Sequence, residues 1–126
     1  MKKITFAIVC VLVVCFVFSG CSGTYTSVDG VTHEVKDSEV VFDGEVEFTV
    51  SETHVAHNHS SYYCAVRLES DEMEVLYEVN NENFLKYHKD DVFTAHATVY
   101  YDDYLGDLVC EIDGHDGNSI SAIMKK

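Results

Sequence analysis

Three histidines lie within six residues of one another, at His54, His57 and His59. Imidazole nitrogen suits Zn²⁺, Cu²⁺ and Ni²⁺. In an extended chain His57 and His59 point to the same side, so their nitrogens could meet at one metal ion. Structural zinc normally takes four ligands, and a fourth would come from His96, His115 or an Asp of the opposing loops. The spacing therefore predicts a divalent-metal site, with an ordinary solvated loop as the alternative.

A second candidate site combines aromatic rings with carboxylates in the stretch Tyr101, Asp102, Asp103 and Tyr104. Such a set suits a sugar or a cationic peptide, and tyrosine is common at protein interfaces. We expect a ligand-recognition surface here, with the sealing of a barrel mouth as the alternative.

Two further patterns carry less chemistry. Asp113, Asp116 and Asn118 offer oxygen ligands for Ca²⁺, but they lack the spacing of an EF-hand loop and fit a turn rich in glycine. None of the serines lies in a Gly-x-Ser-x-Gly elbow. We therefore expect a protein that binds and is not an enzyme.

The first 20 residues have the layout of a secretory signal. Lys2 and Lys3 precede an apolar run from Ile4 to Phe18, which is shorter than the roughly 20 residues of a membrane-spanning helix. The segment Phe18-Ser19-Gly20-Cys21 then resembles the lipobox of prokaryotic lipoproteins. The resemblance implies that Cys21 is lipidated and begins the mature chain, although a plain membrane anchor is the alternative. We expect an exported protein that its lipid holds on a cell-envelope membrane, with the membrane and its side left open.

The remaining cysteines are informative about redox state. Cys10 and Cys15 would leave with the signal, which leaves Cys64 and Cys110 in the mature domain. An even pair in an exported domain predicts one disulfide. Two buried free thiols are the alternative.

Charge limits the choice of partner. Removal of residues 1–20 takes away Lys2 and Lys3 and moves the formal charge of the 126-residue chain from −14 to −16. Nucleic acid and anionic lipid headgroups are bound through Lys and Arg, so they are excluded as partners. The length fits one small domain. Residues 21–38 are small and polar and predict a flexible tether, in which Thr32 to Val35 could form an edge strand, and residues 39–126 predict the folded domain.

Apolar and polar residues alternate through most of the domain, which is typical of half-buried strands. Gly44, in the middle of the first strand, predicts a bend or bulge. The order of elements is that of an OB-fold, so the sequence predicts an all-β, five- to six-stranded Greek-key barrel with a short helix between the third and fourth strands. The predicted strands cover residues 40–50, 62–69, 73–79, 93–100, 108–112 and 120–124, with a polar loop at 52–60 and the helix at 82–88.

The run from Val40 to Met124 also resembles OB-fold lipoproteins related to the anticodon-binding-like (tRNA_anti-like) superfamily. The resemblance rests on Gly44, on the step from Leu85 through Lys89-Asp90-Asp91-Val92, and on the final Ile120-Ser121-Ala122-Ile123. Asp90 departs from the pattern, which has glycine there. The resemblance implies a fold and says little about function. Nucleic-acid binding is not carried over, because the chain is acidic and lacks a basic stripe.

Together these features predict a lipid-anchored, exported binding module without catalytic activity. Its partner would be an envelope protein or a small ligand. The alternative is a lipoprotein that binds Zn²⁺, Ni²⁺ or Cu²⁺ through His54, His57 and His59.

Overall fold

A computed structural model of the chain describes residues 22–57 and 62–126. The predicted signal, Cys21 and His59 lie outside these ranges. Within the described ranges, no helix has the length and apolar character needed to cross a bilayer.

Eight strands and one short helix make up the described chain. The strands are β1 (Ser22–Thr26), β2 (Thr32–Lys36), β3 (Val40–His57), β4 (Tyr62–Glu69), β5 (Met73–Val79), β6 (Val92–Asp102), β7 (Asp107–Ile112) and β8 (Asn118–Met124), and the helix α1 (Asn81–Phe84) follows β5.

Six of the strands form one antiparallel sheet in the order β7-β6-β3-β4-β5-β8, and β1 and β2 form a separate hairpin. The end strands β7 and β8 lie side by side, so the sheet closes almost completely into a small barrel. This confirms the predicted all-β barrel with a short helix before its fourth strand. The arrangement is compatible with an OB-fold.

The barrel is filled by the apolar residues of each strand's inward face. In β5, for example, buried and half-buried residues alternate along its whole length, which is the period-two pattern of a strand with one face on the core. Among the largest side chains that are fully buried are Phe48, Leu68, Met73, Val46, Val50, Val66, Val75 and Val99.

β3 is longer than predicted and bends at other places. It continues through residues 52–57, which pair with β4, so most of the predicted polar loop is strand. The register shifts between Val40 and Phe42 and between Val50 and Glu52, whereas Gly44 pairs regularly with Ala97. The bulge prediction at Gly44 is therefore wrong. At the second shift, the set of residues that faces the core changes from one side of the strand to the other. The period-two pattern therefore ends at the shift, although the strand continues.

The predicted tether is also corrected, because residues 22–36 form the β1–β2 hairpin and pack on the barrel. Val35 belongs to the buried core, and the backbone N–H of Val28 donates to the carbonyl of Met124 at 2.9 Å. A Cβ added to Gly23 would lie 2.0 Å from the Tyr101 hydroxyl oxygen, so the hairpin depends on a residue without a side chain there. Of this hairpin, the sequence predicts only the strand at Thr32 to Val35.

The predicted disulfide is not formed, and Cys64 and Cys110 are both buried free thiols. The Cys64 thiol donates to Asn81 Oδ1 at 3.2 Å, and Cys64 is paired with Val79 at the end of β5. Cys110 Sγ instead lies 4.0 Å from Met73 Sδ, at the start of β5. The length of β5 corresponds to about 20 Å, whereas a disulfide needs Cα atoms within about 7 Å. Both cysteines face the core as expected, but at opposite ends of it.

Candidate functional site

A pocket of about 380 Å³ opens at the end of the barrel that carries α1. Its walls come from four places: α1 with the turns after it, Val50 of β3, the start of β6, and the turn between β7 and β8. The volume is within the range of small-molecule sites, which is about 300–1,000 Å³.

The wall after α1 is fixed by backbone contacts at both of its ends. Asn80 caps the helix, since its side-chain oxygen accepts the Asn83 N–H at 2.7 Å. Further along, the N–H of Asp90 donates to the Val50 carbonyl at 2.7 Å, and the Val50 N–H donates to the Asp91 carbonyl at 2.8 Å. These two bonds attach the segment to β3 beside its bulge. The side chains of Asn83, Lys86 and Tyr87 are thereby presented to the pocket.

His115 forms the opposite wall from within the β7–β8 turn. Its ring stacks on Phe93 with centroids 4.3 Å apart, and its Nδ1 lies 2.7 Å from the Tyr87 hydroxyl. The buried Tyr77 hydroxyl donates to the His115 carbonyl at 2.6 Å and holds the turn on β5. Gly117 allows this approach, because an added Cβ would lie 2.4 Å from the Glu78 carbonyl oxygen.

Burial sets the charge state of these rings. It lowers the pKa of His115 and raises the pKa of Tyr87. It is also the largest cause that raises the pKa of Tyr77 to about 12. At neutral pH the aromatic wall is therefore uncharged, with a neutral imidazole against a neutral phenol.

The rim of the pocket is polar. Lys86 Nζ donates to Asn83 Oδ1 at 3.2 Å, and both are on the helix side. Asp91 and Asp116 add carboxylates from two different segments, and Asp91 Oδ2 lies 3.4 Å from His88 Nδ1. Aromatic and aliphatic side chains with a few polar groups beside them are the usual composition of a small-ligand site.

The predicted metal ligands are not all within the described chain. His54 is half-buried on β3 opposite Ala65, and His57 ends β3 opposite Tyr62. His59 lies outside the described residues. Within the described ranges, no three or more His, Cys, Asp or Glu side chains are placed to hold a metal ion. The metal site therefore stays a prediction.

His96 lies on β6, beside a different part of β3 from the part that carries His54. It faces Glu45 across the β3–β6 pair, whereas His54 lies beyond the second register shift. Its Nε2 contacts the Asp43 carboxylate, and its Nδ1 lies 3.7 Å from Glu45 Oε1. The hydrogen bond to Asp43 is the largest cause that raises the pKa of His96. The structure thus brings His96 to two acids, away from the part of β3 that carries His54.

The predicted tyrosine and aspartate surface is divided between core and solvent. Tyr101 is buried against the N-terminal hairpin, and Tyr104 is 96 % exposed at the β6–β7 turn. Asp102 Oδ1 accepts the Leu105 N–H at 3.1 Å, which is a turn-forming contact, and Asp103 is exposed. These four residues do not form one face.

A serine, an aspartate and a histidine also meet in the N-terminal hairpin. The Ser27 hydroxyl donates to Asp29 Oδ1 at 2.5 Å and lies 3.3 Å from His33 Nε2. In a catalytic relay the carboxylate would hold the second nitrogen of the imidazole. Here it holds the serine and accepts the Val31 N–H at 3.1 Å, so the three residues close a turn.

The sequence patterns did not single out the pocket. His115 lies in the glycine-rich stretch that the sequence predicts as a turn, and Tyr87 lies in the predicted helix at 82–88. The available signal was a set of aromatic residues at places where strand patterning stops. Comparison with protein-family models, with curated proteins and with solved structures found no match.

Proposed function

We propose that this protein is an exported, lipid-anchored module that binds a small ligand in the pocket beside α1 and catalyses no reaction. The observation that carries the proposal is the pocket itself, with His115 and Phe93 stacked on one side and polar side chains at the rim. The export and the anchor are inferred from the N-terminal sequence.

The construction of the pocket supports a binding role. Its aromatic residues are held from several directions, since Phe93 also packs on the core residue Phe48 at 5.6 Å and on Tyr87 at 6.2 Å between ring centroids. A ligand would therefore meet surfaces that are already ordered, which lowers the entropic cost of binding.

A fragment screen tests the binding role. The full-length chain, labelled with ¹⁵N, would be mixed with a library of small soluble compounds and followed by NMR. We expect hits to shift the amide signals of Tyr87, Phe93 and His115. Hits confined to other parts of the molecule, or an absence of hits, would contradict the proposal.

A pair of variants makes the screen specific. Val92 lines the pocket and is 57 % exposed, so Val92→Trp should fill the pocket with little effect on the core. Val40 is similarly exposed, at 52 %, on β3 away from the pocket lining, and Val40→Trp is the matched control. Hits should be lost in Val92→Trp and retained in Val40→Trp.

The anchor is tested separately through Cys21. In a prokaryotic host, the wild-type chain should partition into detergent, and Cys21→Ser should stay uncut and lose the lipid. A Cys21→Ser chain that is processed like wild type would contradict the lipobox assignment.

A further inference from the structure

The charges around the pocket differ from those expected for a site that binds an anion. Among the described residues that line it, Asp91 and Asp116 are acids and Lys86 is a base, and the whole chain has a formal charge of −14. Lys86 is exposed and engaged with Asn83. The two carboxylates come from different segments, Asp91 from the turn before β6, where it also contacts His88, and Asp116 from the β7–β8 turn.

The aromatic side chains of the pocket also favour a positively charged ligand. Tyr87 and Phe93 both line the pocket, and His115 covers one face of Phe93. An aromatic ring attracts a cation at a face that is open to the ligand. The imidazole of His115 adds no opposing charge at neutral pH, because its burial favours the neutral form. From other elements, the Tyr87 phenol contacts the His115 ring, Phe93 stacks on it, and the Tyr77 phenol donates to the backbone carbonyl of His115.

We propose that the pocket binds a small organic cation, an amine or quaternary ammonium with an apolar or aromatic body. The body would pack on Phe93, and the charge would lie near Asp116 and Asp91. This inference rests on the proposed binding function and adds the class of ligand to it.

Three probes with one ring and different charges test the sign. Phenethylamine is a cation at neutral pH, 2-phenylethanol is neutral and phenylacetate is an anion. Titrated into the full-length chain at moderate salt, which screens nonspecific attraction, they should bind in the order cation, neutral compound, anion. The amide signals of Tyr87 and His115 would report where they bind.

The possible results separate the two proposals. If the neutral compound or the anion shifts the pocket signals at least as strongly as the cation, the cation inference is wrong and the binding function stands. If no probe shifts the pocket signals, both fail.

Two charge variants sharpen the test. Asp116→Asn should weaken the cation about fivefold, which is the effect of one charge at about 4 Å in water, and should leave the neutral probe unchanged. Asp71→Asn removes the same charge from the exposed turn between β4 and β5 and should change neither. If the two variants weakened cation binding equally, the preference for a cation would come from the overall charge of the chain, and the assignment to Asp116 would be wrong.

Acid should also release the cation. Protonation of His115 would place a positive charge beside Tyr87 and Asp116 in the pocket wall. Binding of phenethylamine should therefore weaken as the pH falls below about 6.5, the ordinary pKa of histidine. His115→Gln should bind with less dependence on pH, and the same pH dependence in that variant would contradict the proposed position of the charge.

Discussion

At the scale of single residues, His115 gives the pocket a dependence on pH that can be measured as stability. Because burial lowers its pKa, the folded protein holds fewer protons at this site than the unfolded chain does. The stability that the neutral ring contributes is complete above about pH 6.5 and is lost as the pH falls through the window below that value. Between pH 7 and pH 5.5, the free energy of unfolding measured with denaturant should fall more in wild type than in His115→Gln.

His96 supplies a control of opposite sign. The Asp43 hydrogen bond raises its pKa, so its contribution to stability is present below about pH 6.5 and is lost as the pH rises through the raised value. As the pH is raised above 6.5, the free energy of unfolding should therefore fall less in His96→Gln than in wild type. Parallel pH profiles for wild type and both variants would contradict the assigned environments.

The two core cysteines give a second prediction at this scale. Burial is the largest cause that raises the pKa of Cys110 to about 12, and the thiolate is the reactive form, so iodoacetamide should not label it in the folded protein. Cys64 is 7 % exposed and should also be protected. Unfolding without reductant should then expose both thiols, as seen by peptide mass spectrometry. If neither cysteine were labelled after unfolding, the free-thiol assignment would be wrong and a Cys64–Cys110 disulfide would be indicated.

At the scale of elements, the N-terminal hairpin depends on Gly23. Gly23→Ala would place a methyl group against the Tyr101 hydroxyl, and such overpacking costs about 1–3 kcal/mol. We expect a lower free energy of unfolding and faster amide hydrogen exchange in β1 and β2. Gly44→Ala is the matched control, because its nearest neighbour atom would be 3.7 Å away. Equal exchange in the two variants would mean that the hairpin does not dock on Tyr101.

The β7–β8 turn depends in the same way on Gly117. Gly117→Ala would push a methyl group against the Glu78 carbonyl and the Tyr77 ring, and the turn that carries His115 would move away from β5. We expect a loss of about 1–3 kcal/mol in stability together with weaker binding of fragments. Unchanged fragment binding would show that the position of the turn does not shape the pocket.

These elements show where sequence patterning succeeds and where it stops. The alternation in β5 is visible in the sequence because one face meets the core throughout, and its predicted bounds agree with the structure. The continuation of β3 was missed because the shift between Val50 and Glu52 changes the face. The hairpin of residues 22–36 was missed because its contacts are with Tyr101 and Met124, which are distant in sequence.

The turn at Asp90 was visible in the sequence, but its effect on the position of Asp91 was not. Asp90 has φ 73°, which lies in the left-handed region. Aspartate is among the few residues other than glycine that tolerate this region. The turn positions Asp91 at the pocket rim, which a strand pattern could not foresee.

At the scale of the whole molecule, the fold and the candidate site have different sources. The barrel follows from short-range alternation and was predicted from the sequence. The pocket combines residues from four segments, so its composition depends on how the barrel closes. The histidine stretch was the clearest chemical pattern in the sequence, and since His59 lies outside the described residues, a metal site there remains a prediction for calorimetry with His57→Ala/His59→Ala.

Native mass spectrometry of the protein as its own host processes it, purified under mild conditions, tests the central claim most directly. We predict that wild type and Val40→Trp carry a bound small molecule whose mass is absent from Val92→Trp. The pocket volume of about 380 Å³ limits that molecule to a small compound. Wild type without any bound compound, or Val92→Trp with the same bound compound as wild type, would contradict the account.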